Sequence, residues 1–169
     1  GATIYKRLQV KLVDLDPQLN NAAHYFSEGF TVSRSDAIPG NGLNNFSHRP
    51  LTVNYSNGNA SFLTAGQIVR EYPALFAWQA AFPDVQIAEV SVPQEGTFYL
   101  GARATYAGDG FWNYEYALFN VNSDRAARAF DVPRPDGVLV QDLGFHDVDY
   151  HSGEPFDLTD WQANLTDQT

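Results

Sequence analysis

The chain has 169 residues, a formal net charge of −10 and no cysteine. This length fits one domain with a core large enough to fold without disulfides or a metal ion. The missing cysteines exclude a disulfide scaffold and thiolate metal sites. The acidic balance disfavours nucleic acids and anionic membrane surfaces as partners, because both need a basic patch. No apolar run reaches the roughly 18 residues of a transmembrane helix, so we expect no membrane insertion.

The first half of the chain alternates short strands with loops. Residues 4–13 read as a strand that stops before Pro17, and residues 35–48 form a loop rich in Gly, Asn and Ser. A second strand is predicted at residues 51–55 and a third at 61–64. The Asn57-Gly58 pair between them is typical of a tight hairpin turn.

One short helix is predicted at residues 73–82. Pro73 suits the first turn of a helix, and Pro83 forces the residue before it out of helical geometry. Apolar residues follow between the two prolines at roughly helical spacing. We expect this helix to pack across one end of a sheet.

The second half of the chain is dominated by strand patterns. Apolar and polar residues largely alternate over residues 85–92, as in a strand. Residues 96–106 and 111–121 flank a turn with two glycines, which predicts an antiparallel hairpin. Further strands are predicted at 127–132 and 138–150. About eight short strands separated by turns are typical of a sandwich. We therefore predict an all-β fold, a single antiparallel β-sandwich domain over residues 1–169, immunoglobulin-like or jelly-roll-like, with its one helix near 73–82.

The second arm of the predicted hairpin carries a row of aromatic residues. Because side chains alternate along a strand, Trp112, Tyr114 and Tyr116 share one face with Leu118, and Glu115 lies on the other. Glu115 is either a general acid beside a sugar platform or a solvated residue of the hairpin.

The segment from Gly144 to Trp161 is the densest in chemistry-bearing side chains. Such groups are costly to bury unless they are paired, hydrogen-bonded or bound to a metal. The segment is therefore a hydrogen-bonded structural loop, a calcium-like site built from carboxylate oxygens, or a zinc-type site using a histidine. Its candidate metal ligands are His146, Asp147, Asp149, His151 and Asp157.

The spacing of these groups restricts how they could bind an ion. On a straight strand the successive residues Asp147, Asp149 and His151 would each lie about 7 Å from the next. This distance is too long for the three side chains to coordinate one ion. A turn at Ser152-Gly153 would be needed to fold the later residues back. The EF-hand pattern and the helical His-Glu-x-x-His motif are both absent.

Four phrases carry a resemblance to a family of uncharacterised secreted proteins from planctomycetes and similar environmental bacteria. They are Gly-Asn-Gly-Leu-Asn-Asn from Gly40, Trp-Asn-Tyr-Glu-Tyr-Ala from Trp112, Asn-Val-Asn-Ser-Asp-Arg from Asn120, and the long phrase from Gly144. The resemblance covers roughly residues 12–161. It implies export and a longer precursor, of which this chain would be the C-terminal part, and it implies no activity and no catalytic residue.

These observations lead to two hypotheses of different class. The first is a secreted or cell-surface module for binding, adhesion or assembly, with calcium, or less favourably zinc, as a stabilising cation. Its partners would be further copies of itself, other extracellular proteins or glycans. The second is an extracellular hydrolase acting on polysaccharide through Glu115, Asp147, Asp149 or His151. Because the chain starts at Gly1 and contains no Met, we expect it to be a processed piece of a longer polypeptide.

Overall fold

The computed structural model of the protein describes residues 10–31, 41–146 and 159–165. Two antiparallel sheets and one short α-helix make up its regular structure, which confirms the predicted all-β sandwich with a single helix. The first sheet contains β1 (Tyr25–Phe30), β2 (Phe46–Ser56), β3 (Asn59–Thr64) and β4 (Val69–Arg70). The second contains β5 (Gln86–Val92), β6 (Gly96–Gly108) and β7 (Phe111–Asn120). The helix α1 (Leu75–Ala81) lies between the two sheets in the chain, and a 3₁₀ turn (Leu12–Leu15) precedes β1.

β2 is the central strand of the first sheet. β1 and β3 pair with it in antiparallel fashion, and β4 pairs with its start at Ser47 and His48. The β2–β3 connection is the predicted two-residue turn. Asn57 and Gly58 adopt φ values of 50° and 70°, as a type I′ hairpin turn requires.

The second sheet has the order β5-β6-β7. The predicted β6–β7 hairpin is confirmed, with Tyr106 directly opposite Trp112 and a bulge between Tyr106 and Gly108. The turn residues Asp109 and Gly110 have φ values of 51° and 84°. Here too the left-handed backbone matches the twist of the strands that it joins.

The ring of Phe46 joins the two sheets. Its side chain is 2% exposed, stacks on Phe30 of β1 at a centroid distance of 4.0 Å, and meets Phe119 of β7 edge-on at 5.7 Å. Burying one such ring stabilises a fold by about 2–3 kcal/mol. Among the described residues, the other buried apolar side chains are Leu15, Ala77, Val85, Phe98 and Val121.

The helix α1 packs on the second sheet at Gly101 of β6. A Cβ atom added there would lie 3.0 Å from Cζ3 of Trp78 and 3.1 Å from Cδ1 of Leu75, so any larger residue would require these side chains to shift by a few tenths of an ångström. Phe76 meets Tyr99 of β6 edge-on at 5.3 Å. Burial beneath this helix is the main cause that raises the pKa of Tyr99 above its ordinary value. None of the helices in the described ranges has the length and apolarity needed to cross a bilayer.

Several sequence-based boundaries differ from the structure. The predicted strand at 4–13 is wrong where it is described, because residues 12–15 form the 3₁₀ turn; residues 4–9 lie outside the described ranges. The predicted loop at 35–48 is wrong at its end, since β2 already begins at Phe46. Residues 127–132 and 138–146 pair with no other strand in the described parts of the chain; residues 147–150, the rest of the predicted strand at 138–150, lie outside the described ranges.

Candidate functional site

One face of the second sheet carries no charged residue. One face of this sheet contacts α1 at Gly101 and Tyr99 and contacts the first sheet at Phe119. The residues that alternate with these along the strands form the opposite face. No Asp, Glu, Lys, Arg or His occurs on this second face, although the chain has a net charge of −10. We call it the uncharged face; its residues on the three strands are Gln86, Ala88, Val90, Val92, Phe98, Leu100, Ala102, Ala104, Tyr106, Trp112, Tyr114, Tyr116, Leu118 and Asn120.

Three aromatic rings stand open at the β6–β7 turn end of the uncharged face. Tyr106, Trp112 and Tyr114 are 61%, 53% and 63% exposed, and we refer to them as the aromatic patch. The rings of Tyr106 and Trp112 lie 5.4 Å apart and are inclined at 60° to one another. The backbone N–H of Gly110 donates to Oη of Tyr106 over 3.2 Å, which helps to orient that ring.

The aromatic patch has a flat floor. Ala104 lies directly opposite Tyr114 across the β6–β7 pair, and its methyl group leaves the backbone surface beside the rings uncovered. Two residues along a strand are about 6.6–6.8 Å apart, so the rings of Trp112 and Tyr114 present neighbouring surfaces on this floor. The predicted sharing of one face by Trp112, Tyr114 and Tyr116 is confirmed by this register.

The chain that follows β7 partly covers the middle of the uncharged face. The ring of Phe130 meets that of Tyr116 at 5.3 Å, and Tyr116 is correspondingly less exposed than the patch, at 41%. Phe98, farther along the same face, is buried. Val90, Val92 and Leu118 on the rest of the face are 38–42% exposed, so the face is accessible along its length and its most exposed rings lie at the turn end.

The opposite face holds a charged cluster around Arg103. Its guanidinium group lies over the ring of Phe82 at 4.1 Å, its Nε donates to Asp84 over 2.9 Å, and its Nη1 lies 4.0 Å from a carboxylate oxygen of Glu115. The hydrogen bond from Arg103 is the main cause that lowers the pKa of Asp84 below its ordinary value of 3.8. Glu115 thus faces an arginine on the side of the sheet away from the aromatic patch.

The Asn-Val-Asn-Ser-Asp-Arg phrase closes the base of the β6–β7 hairpin. Oδ1 of Asn122 accepts the backbone N–H of Thr97 over 2.7 Å, and the side chain of Asn120 bonds both the N–H and the C=O of Ser123. Arg125 pairs with Glu95 at 3.2 Å on the surface. These bonds give the phrase a structural role.

Two shallow hollows lie on the first sheet. One, of about 310 Å³, lies between the residues before β1 and the middle of β2 and is lined by Leu15, Tyr25 and Val53 among others. The other, of about 360 Å³, lies beside Arg49 and Arg70. Nε of Arg49 donates a hydrogen bond to the carbonyl of Gly66 over 3.2 Å, so this arginine stabilises the loop around Gly66.

Among the predicted metal ligands the structure describes His146 alone. Asp147, Asp149, His151 and Asp157 lie outside the described residues, and so does Glu154. In residues 10–31, 41–146 and 159–165, no three His, Asp or Glu side chains are grouped so that they could hold a metal ion. The rings of Phe145 and Trp161 stack at 5.2 Å with 7° between their planes, which brings together the two ends of the stretch that contains the predicted ligands.

The aromatic patch is the surface that the sequence only partly indicated. The alternation along β7 placed Trp112 and Tyr114 together, but Tyr106 belongs to the other arm of the hairpin and joins them only through the register. Comparison of the chain with protein-family models, with curated proteins and with solved structures gives no match.

Proposed function

We propose that the chain is a secreted or cell-surface module for binding, adhesion or assembly, and that the uncharged face of the second sheet is its binding surface. The observation that carries this proposal is the aromatic patch: three rings, each more than half exposed, on a face without charge. Exposed apolar patches of this kind mark interaction sites, because leaving large rings in water is unfavourable.

The distribution of charge supports the same assignment. The chain has 20 acidic against 10 basic residues, so its overall field is negative. An uncharged area on such a surface is where a neutral partner can approach without repulsion. The resemblance to secreted proteins of environmental bacteria supports an extracellular location for that encounter.

Adhesion is tested by the binding of the fluorescently labelled chain to biofilm matrix and intact cells of environmental bacteria. We expect saturable binding that falls at least severalfold when Trp112 and Tyr114 are both replaced by alanine, because the rings supply the contact area. Phe111→Ala is the matched control, since Phe111 lies on the same strand and its side chain points to the other face.

Equal binding by the double variant and the parent chain would refute the proposed surface, and no binding of the parent to either preparation would refute adhesion. Sedimentation velocity of the same samples tests assembly between copies. Among the described strands, β7 is the outer strand of its sheet, and an outer strand readily accepts another chain. Dimers that are lost in Asn113→Lys, which places a charge on that edge, would identify assembly through β7.

We also propose that calcium stabilises the segment between Phe145 and Trp161, with His146, Asp147, Asp149, His151 and Asp157 as the candidate ligands and zinc as the less favoured ion. The stacked rings at its two ends support this idea, because they restrict the segment and so reduce the entropy lost when it closes on an ion. Carboxylate oxygens are the ligands that calcium prefers.

Thermal unfolding with added calcium, with added zinc and with EDTA tests the cation proposal. An ion at 100 times its dissociation constant stabilises the folded state by about 2.7 kcal/mol, which shifts the melting temperature by several degrees. We expect calcium to raise the melting temperature of the parent chain and not that of a variant with Asp147 and Asp149 both replaced by asparagine. Identical melting curves of the parent chain under all three conditions would contradict the cation proposal.

A further inference from the structure

The structure assigns a ligand class to the aromatic patch: we propose that Tyr106, Trp112 and Tyr114 bind a neutral polysaccharide by stacking against its sugar rings. This inference rests on the proposed function, because it names the partner that the uncharged face takes. Three features of the patch favour such a partner over a second copy of the chain, another protein or a charged polymer.

The first feature is the area of the patch. A large aromatic residue offers about 200 Å² of surface, so three rings exposed by 61%, 53% and 63% together present roughly 350 Å². A stable protein–protein interface needs about 800 Å² on each partner, which the three rings alone do not reach. Farther along the face the exposed apolar side chains Val90, Val92 and Leu118 are aliphatic. The strongly exposed rings that can stack on a ligand are therefore concentrated at the turn end, where they match the width of a polymer chain.

The second feature is the chemistry of the rings. A pyranose ring has an apolar face of C–H groups and an edge of hydroxyl groups. Tyrosine and tryptophan match this pattern, since each has an apolar ring and one polar group at its rim. The inclination of 60° between Tyr106 and Trp112 lets a sugar lie on one ring while its edge meets the other. The flat floor at Ala104 leaves room for the hydroxyl edge beside Tyr114.

The third feature is charge. Asp109 forms the hairpin turn next to the patch, and the chain as a whole carries −10. A uronic acid polymer, a sulfated glycan or a nucleic acid would be repelled by this field. The uncharged face itself offers neither cation nor anion to a ligand. A neutral polymer of sugars with flat apolar faces, such as a β-1,4-linked glucan or chitin, meets no such repulsion.

The test measures retention of the full chain on microcrystalline cellulose and on chitin, and its mobility in native gels containing hydroxyethylcellulose. We expect retention by at least one of these probes. Trp112→Ala and Tyr114→Ala should each weaken binding by about tenfold, as the loss of a central aromatic contact does. Trp112→Phe, which keeps a ring, should recover part of the binding, and Phe111→Ala on the opposite face should bind like the parent chain.

Circular dichroism and melting temperature of each variant establish that it folds, and Trp112→Phe and Tyr114→Ala give independent readings if Trp112→Ala does not. No retention of the parent chain by any of the three probes overturns the inference, and so does retention that the patch variants leave unchanged. Binding to cells that depends on the patch, survives periodate oxidation of glycans and is abolished by protease would keep the binding module and replace the polysaccharide by a protein partner.

Discussion

Arg103 illustrates how much of this fold depends on single side chains with several partners. It covers the ring of Phe82 after α1, pairs with Asp84 before β5, and faces Glu115 on β7. One cation thus connects the end of the helix to two strands of the second sheet. The apolar stem of an arginine contributes packing as well as charge in such a place.

The Asp84–Arg103 pair should make stability depend on pH in the acid range. Because the folded state lowers the pKa of Asp84 below 3.8, the pair stabilises the protein above about pH 3.8, and this contribution is lost as the pH falls through the lowered value. In Asp84→Asn we expect a lower melting temperature at pH 7 and a difference from the parent that shrinks below pH 3.8. Melting curves of both proteins between pH 2 and 7 measure this difference in melting temperature.

Asp136→Asn removes one carboxylate from an exposed turn and controls for the change in net charge. A difference between Asp84→Asn and the parent that stays constant down to pH 2 would contradict a role for the ionised pair. The size of the effect is modest, because Asp84 is open to solvent and surface ion pairs contribute little.

The helix α1 approaches the backbone of β6 closely. This contact depends on the missing side chain at Gly101, where Trp78 and Leu75 approach the backbone. We expect Gly101→Ala to destabilise the protein by about 1–3 kcal/mol, because the helix must move outward or its side chains must leave their preferred rotamers. Urea unfolding followed by tryptophan fluorescence measures the change.

Gly144→Ala is the matched control for that substitution. A Cβ atom at Gly144 meets nothing within 4 Å, so the same chemical change should leave the unfolding midpoint within experimental scatter of the parent. If Gly101→Ala also unfolds at the parent midpoint, the helix does not pack as closely on β6 as the structure indicates.

Local patterns predicted the elements whose partners are close in sequence. The Asn57-Gly58 hairpin, the β6–β7 hairpin and α1 were all evident, because a turn residue or a proline defines each of them. β1 was missed, since its sequence shows no regular alternation and its pairing with β2 spans the loop between them. Residues 127–132 have strand-like composition but no ladder partner in the described chain, and composition alone cannot supply one.

The candidate site, too, was predictable only where its residues lie on one strand. Alternation placed Trp112 and Tyr114 on one face, but the contribution of Tyr106 depends on the register across the hairpin, and the absence of charge depends on three strands at once. The cover that Phe130 gives to Tyr116 is a contact between a strand and an irregular segment. No sequence period describes such a contact.

At the scale of the whole molecule, the two sheets depend on Phe46 for their contact. Phe46→Ala should destabilise the protein by about 3–5 kcal/mol, a large part of the roughly 5–15 kcal/mol that holds a domain of this size together. Urea unfolding, followed by circular dichroism and by tryptophan fluorescence, should show both signals shifting to lower urea together, because the ring touches β1 and β7.

Phe62→Ala, at a ring that is 45% exposed on β3, is the control for loss of an aromatic side chain from the first sheet. If circular dichroism and fluorescence separate in Phe46→Ala, so that one sheet unfolds while the other persists, the sheets are independent units. A common midpoint in the parent chain would establish the single cooperative domain that was predicted from length.

The small number of rings in the aromatic patch bears on how strongly one molecule can hold its partner. Only three rings of this face are more than half exposed, so a polymer that stacks on them would place few of its repeating units in contact at a time. Such contacts are weak singly and exchange quickly. Displayed in many copies on one surface, however, they act as a multivalent array, in which linked sites raise the overall affinity by about 10²–10⁴-fold without any new contact. A module of this design would bind a matrix strongly through avidity, while each single copy would dissociate quickly.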